Sequence, residues 1–266
     1  MLSAETWYGL LIIITLRYFL IAGVAYFIWY KVKRNKVAYK KIQQRFPTNK
    51  DYQREIYYSL ITIVIFAAVP ALMLQTSFRQ YTQYYQHVSE YSMWWFWLAF
   101  PVMFIVHDTY FYWMHRSMHH PGLFKLFHVV HHKSTNPSPW AAFSFQPSEA
   151  FFEAGIFVLL IMIMPLHLIH LFVFFLVMIV YNVCGHLGWE LYPAGFSKHP
   201  VGKWINTSVN HNQHHQFFKG NYGLYFLFWD RLMGTLRTDY DSHFEKVKAR
   251  KPLTVKKEMP EAVAAD

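Results

Sequence analysis

The sequence predicts an all-α integral membrane bundle, with about four to five spans or a re-entrant hairpin, and a cytoplasmic helical cap carrying a histidine-rich di-metal site. Three observations lead there. Apolar runs long enough to cross a bilayer recur along the 266 residues. Charge is scarce, at 15% of residues against about 25% in an ordinary globular chain. Eight of the sixteen histidines gather at helical spacing just beyond the ends of the apolar runs.

Residues 8–30, YGLLIIITLRYFLIAGVAYFIWY, can cross about 30 Å of hydrocarbon at 1.5 Å per residue. Arg17 interrupts the run and reads as a snorkelling or bundle-facing charge. The run is too long for a signal peptide, and its basic flank follows it. That flank, KVKRNK at 31–36 with further Lys and Arg up to Arg54, reads as a cytoplasmic loop. Residues 57–75 form an uncharged return span. Residues 80–90 hold no Lys or Arg, as expected on the far side. Residues 91–113 come back, with a kink expected at Pro101. Continued through His119, this helix reaches about 43 Å, so its end emerges from the hydrocarbon. Pro121-Gly122 then stops it.

After His132 comes a polar, proline-containing loop, KSTNPSPW. Residues 150–183 are apolar again and broken at Pro165, which allows two tilted helices or a re-entrant hairpin. From Gly185 onward the chain is amphipathic and cap-like. The expected divisions are 1–90 for the N-terminal spans and basic loop, 91–240 for a catalytic domain, and 241–266 for a polar C-terminal tail. The charge count puts the metal site and C-terminus on the cytoplasmic side. It does not distinguish a bacterial plasma membrane from endoplasmic reticulum.

Composition excludes several function classes. A lone cysteine, Cys184, leaves no intrachain disulfide and no CxxC zinc site. The net charge of +10 lies mostly in 31–54 and 237–257, as beside anionic lipid, and no nucleic-acid motif accompanies it. Aromatics at 20% suit membrane interfaces.

The stretch 107–132, HDTYFYWMHRSMHHPGLFKLFHVVHH, holds seven of the sixteen histidines. His115 and His119 sit four apart and share a helical face. His128, His131 and His132 stand at i, i+3 and i+4, and His211, His214 and His215 repeat that HxxHH spacing. Neutral imidazole suits iron, zinc, copper and nickel. A structural zinc needs about four ligands, so this many clustered histidines favour two metals. His87, His167, His170 and His243 lack partners at ligand spacing and read as structural, and His107 and His120 fall off the main face. A membrane metal transporter or metal-binding protein is the rival class, but its ligands would interrupt the spans instead of following them.

HDTYFYWMHRSMH, FHVVHH and HNQHH, followed by NYG at 221–223 and WDRLMGT at 229–235, resemble the fatty acid hydroxylase / sterol desaturase superfamily. The similarity runs from about Tyr91 to Thr235. The resemblance implies a membrane non-haem di-iron oxidoreductase that uses O2 and external electrons to hydroxylate or desaturate a lipid. It implies metal ligands at His115, His119, His128, His131, His132, His211, His214 and His215, with His186 as a further one. Asp108 resembles the family's aspartate in HDxxFYW and is expected to orient His115, or else to pair with Arg116. Many relatives have HPxE where this chain has Gln146-Pro147-Ser148-Glu149. Glu149 is expected to support a ligand from behind or to serve as a helix N-terminal charge, and Asp230 to pair with Arg231 or a cluster histidine. No GxGxxG follows a strand and no cysteine set fits an iron–sulfur centre. Electrons are therefore expected from a separate ferredoxin or cytochrome docked on the basic surface around Lys246, Lys248 and Arg250.

Overall fold

The computed structural model of the chain describes residues 4–252. Helices follow one another as α1 (Ala4–Tyr26), α2 (Arg34–Val37), α3 (Asn49–Gln75), α4 (Met93–Met118), α5 (Pro121–Phe127), α6 (Val129–His132), α7 (Pro147–Ile163), α8 (Leu168–Gly185), α9 (Ser208–Phe217), α10 (Phe228–Leu232) and α11 (Tyr240–Lys248). Strands among the described residues are two residues long: β1 (Tyr84–Tyr85) pairs in parallel with β2 (Leu166–His167).

Three helical segments, Glu5–Val32, Asn49–Gln75 and Leu168–Gly185, are long and apolar enough to cross a membrane. α1 shows why. Ile14, Tyr18 and Ala22 fall at every fourth position and are buried, while Ile12, Ile13, Leu16 and Leu20 face outward. An apolar exterior over an apolar interior is stable against lipid, not water. α3 opens on a capping box: Thr48 Oγ1 accepts from the Asp51 amide, and Asp51 Oδ2 accepts from the Thr48 amide at 2.9 Å. The 26 residues of α4 reach about 39 Å. The apolar stretch 150–183 resolves into a hairpin of two helices, α7 and α8. They part at Pro165, where the Trp95 indole N–H donates to the proline carbonyl at 2.8 Å.

The long helices run alternately up and down. The end of α1, the start of α3, the end of α4, the start of α7 and the end of α8 therefore share one end of the bundle. Cross-links fix that end: the Tyr30 hydroxyl donates to the Leu187 carbonyl at 3.0 Å, and Arg54 Nη2 donates to Ser134 Oγ at 3.2 Å. The polar loop after His132 is not a surface connection. It threads between α1, α3 and α8, where the Trp140 carbonyl accepts from Tyr18 (2.9 Å) and Ser59 (3.1 Å). Asn182 Nδ2 donates to the Ala142 carbonyl at 2.7 Å, and Ser138 donates to the fully buried Glu55. A buried loop must satisfy its backbone, and these side chains do so.

Two expected boundaries shift. The tail expected from residue 241 begins as α11, whose Tyr240, Phe244 and Val247 pack with Val209 and Leu227 in the core of the cap. Ile42 of the basic loop joins the same core, so that loop belongs to the cap as much as to the spans. The remainder of the expected tail, from residue 253, lies outside the described residues.

Candidate metal centre

Nine histidines converge at the shared end of the bundle, in two groups. His115, His119, His128, His132 and His214 form one; His131, His186, His211 and His215 form the other. Within each, one nitrogen per ring lies within 4.8 Å of all the others. The two HxxHH segments divide in a complementary way. His128 and His132, four apart, serve the first group, and His131 the second. His211 and His215, four apart, serve the second group, and His214 the first. Spacing of four keeps a face, and the i+3 position turns to the neighbouring one. Each HxxHH thus reaches both groups. His186 caps the end of α8 and completes the second. The groups abut: the His132 and His215 ring centroids are 5.0 Å apart and those of His128 and His131 5.2 Å.

The inner nitrogens are spaced as ligands of a common cation would be. His214 Nε2 lies 2.9 Å from His132 Nε2 and 3.2 Å from His119 Nε2. His186 Nε2 lies 3.0 Å from His211 Nε2 and 3.1 Å from His215 Nε2. Nitrogens about 2.1 Å from one metal stand about 3.0 Å apart at a right angle.

The outer nitrogens explain why the inner ones carry lone pairs. Nδ1–H of His115 donates to the Tyr222 carbonyl (2.9 Å), of His131 to Ser144 (3.3 Å), of His186 to Asn182 (2.7 Å) and of His214 to Gly220 (2.8 Å). His128 Nδ1–H donates to Glu149 Oε1 at 2.6 Å. An acceptor outside fixes the Nδ1–H tautomer and turns the Nε2 lone pair inward. Nε2 of His115 and His128 is buried with no protein partner among the described residues. Inward lone pairs repel unless a cation lies between them, so this donor set fits imidazole-ligated metal. Burial, then the neighbouring imidazoles, hold His132, His211, His214 and His215 well below the usual histidine range, and burial takes His186 down to about 4. The rings are therefore neutral and able to ligate.

Other expected residues sit elsewhere. Asp108 reaches neither His115 nor Arg116. Its Oδ1 accepts from the Tyr225 and Phe226 amides at 2.8 and 3.1 Å, pinning the strand of chain that carries the Tyr222 carbonyl. Asp230 pairs with neither Arg231 nor a histidine; it accepts from the Tyr222 and Gly223 amides (2.9 and 2.8 Å) and from the Thr235 hydroxyl (2.7 Å). Gln146 donates to the Leu126 carbonyl at 2.5 Å and stays outside both groups, as does His107. His120 caps α5. The residues that sequence reasoning missed are those whose carbonyls accept from the ligand rings: Ser144, Asn182, Gly220 and Tyr222. The NYG turn was the signal for Gly220 and Tyr222. Asn221 there takes a left-handed φ of 59°, and at Gly220 (φ 81°) a Cβ would stand 2.6 Å from the Thr235 carbonyl oxygen.

Behind the histidines lies an apolar slot walled by α1, α3, α4, α7 and α8 and lined by Phe66, Phe111, Phe143, Phe145, Phe157 and Phe175 among others. Its inner wall touches the centre: Phe111 stands 5.0 Å from the His115 ring and Phe145 5.1 Å from His131, centroid to centroid. The expected docking lysines and arginine are partly engaged. Lys248 Nζ donates to the Glu190 carbonyl at 3.2 Å, and Arg250 donates to the Ile42 carbonyl at 3.1 Å. Lys246 is exposed and shares a surface depression with Arg45.

No solved structure matches the chain. A Delta(7)-sterol 5(6)-desaturase of Gibberella zeae is 30% identical over 65% of this chain and 54% of its own length. Lathosterol oxidase of Homo sapiens is 28% identical over 79% of this chain and 67% of its own. A Delta(7)-sterol 5(6)-desaturase of Leptosphaeria maculans is 28% identical over 86% and 60%. The chain thus spans between about half and two thirds of these relatives. A model of the fatty acid hydroxylase family matches residues 100–235, which include every histidine of both groups. The chain belongs to the fatty acid hydroxylase family.

Proposed function

We propose that this chain is a membrane-bound, O2-dependent lipid oxidoreductase that hydroxylates or desaturates a C–H position, with two irons held by its nine clustered histidines. The observation that carries this reading is the contact between the two imidazole groups and the inner wall of an apolar slot. When bound, the irons would supply O2 activation and the oxidation of a C–H bond, with electrons from a separate donor. His115, His119, His128, His132 and His214 would hold one iron, and His131, His186, His211 and His215 the other.

The remaining work falls to the protein. The slot takes the lipid tail and keeps water from the reacting carbon. Phe111 and Phe145 set how closely a chain approaches the centre. Glu149 and the four carbonyls hold the rings in one orientation, so the site does not reorganise during turnover. The basic residues of 31–54 flank the metal end, which supports a cytoplasmic location for that end. Arg45 and Lys246 then offer an exposed basic surface to an acidic ferredoxin or cytochrome.

The test is a comparison of lipid extracts from cells with and without the protein, grown in air. The expected result is a lipid that gains one oxygen or loses two hydrogens only when the metal-loaded protein is present. Identical extracts, with the protein present and iron-loaded, would refute the reading.

A further inference from the structure

We propose that the slot is built for a lipid alcohol, and that His107 Nε2 is the group that reads its hydroxyl. This rests on the lipid-oxidation reading and narrows its substrate class. His107 lies on α4, is 1% exposed, and lines the slot. Its Nδ1 is held by the Tyr225 hydroxyl at 3.0 Å. Its Nε2 is buried and has no partner among the described residues. A buried polar atom without a partner destabilises the fold, so a ligand that fills the slot and satisfies this atom gains in affinity.

The chemistry selects a hydroxyl. Tyr225 can donate to Nδ1 or accept from it, so Nε2 is a donor in one tautomer and an acceptor in the other. A hydroxyl satisfies both, whereas a carbonyl satisfies only one. A cation on the slot wall disfavours a cationic head. Arg17, whose guanidinium carbon stands 5.9 Å from the Phe175 ring centroid, has an unpartnered Nε and would repel a cation. A neutral head that both donates and accepts suits His107 and Arg17 together. His107 precedes His115 by eight residues, about 12 Å along the helix. The hydroxyl is therefore read about two turns from the metal end, with the oxidised carbon between.

The experiment identifies the lipids that stay with the detergent-purified full chain, before and after acetylation of free hydroxyls. Wild type should retain a lipid that takes up an acetyl group. His107→Asn keeps an amide where Nδ1 meets Tyr225 and has nothing at the Nε2 position. It should retain about tenfold less at equal metal content. His107→Gln places its amide near the Nε2 position and should recover part of the loss, which a purely structural role would not predict. Equal retention by wild type and His107→Asn, or retained lipid with no free hydroxyl, overturns the proposal. The parent reading fails separately: a retained alcohol left unchanged by O2 and reductant in metal-loaded wild type would refute oxidation and leave His107-dependent retention standing.

Discussion

The bundle carries histidines at both of its ends, and the two sets are built differently. At the far end, His167 Nδ1 accepts from the Ile169 amide and its Nε2 donates to the Gln86 carbonyl. His170 Nδ1 accepts from the His167 amide and its Nε2 donates to the Phe96 carbonyl. Both nitrogens of each ring are spent on backbone. At the metal end, His115, His128, His131, His186 and His214 spend one nitrogen outward, and the other faces a neighbouring imidazole group. Histidine count and burial do not separate the two ends, since His170 is as buried as His214. What separates them is whether the second nitrogen already has a partner.

That contrast can be broken by substitution, and the largest effect belongs to His214. Its Nε2 lies against both His119 and His132. His214→Ala should lower turnover by more than the roughly 100-fold that marks the loss of an outer partner, and should reduce bound metal. Wild-type metal content in this variant would show that the ring is only packing. Glu149→Gln comes next. It keeps the shape but removes the charge that accepts from His128, and should reduce metal affinity or turnover about 10- to 100-fold, with the fold intact by circular dichroism. The smallest effect belongs to the far end. His170→Phe keeps a ring among Phe96 and Phe100 but loses two backbone bonds. It should cost about 1–2 kcal/mol of stability with metal content unchanged. Metal loss there would erase the distinction between the ends.

Much of the centre was legible because metal ligation by helices constrains spacing. HxxxH and the two HxxHH segments share faces by helical geometry alone, whatever the rest of the chain does. The division into groups of five and four was not legible. It depends on how α6, a single turn, crosses α9, and crossing angles leave no mark on local sequence. Asp108 shows the same limit. Seven residues before His115 it falls on nearly the same face, but residues 222–226 pass alongside α4, and their amides take the carboxylate. The Ser144 and Asn182 carbonyls that fix two of the tautomers had no side-chain signature. The expected spans 8–30 and 57–75 and the second half of 150–183 fall on helices long and apolar enough to cross a membrane, whereas 91–113 is not among the three such segments of the described residues. The burial of the polar loop after His132 was not legible, because its backbone carbonyls are satisfied by side chains from α1, α3 and α8 instead of by water.

The central claim is that two neighbouring imidazole groups each hold an iron. Metal analysis of the detergent-purified full chain, prepared from iron-replete cells without chelator, tests it most directly. The account predicts about two irons per chain in wild type, and a fall towards one when His186 is replaced by Ala, because His186 belongs to the second group only. A wild-type chain that binds one metal or none, or an unchanged content in His186→Ala, would contradict it.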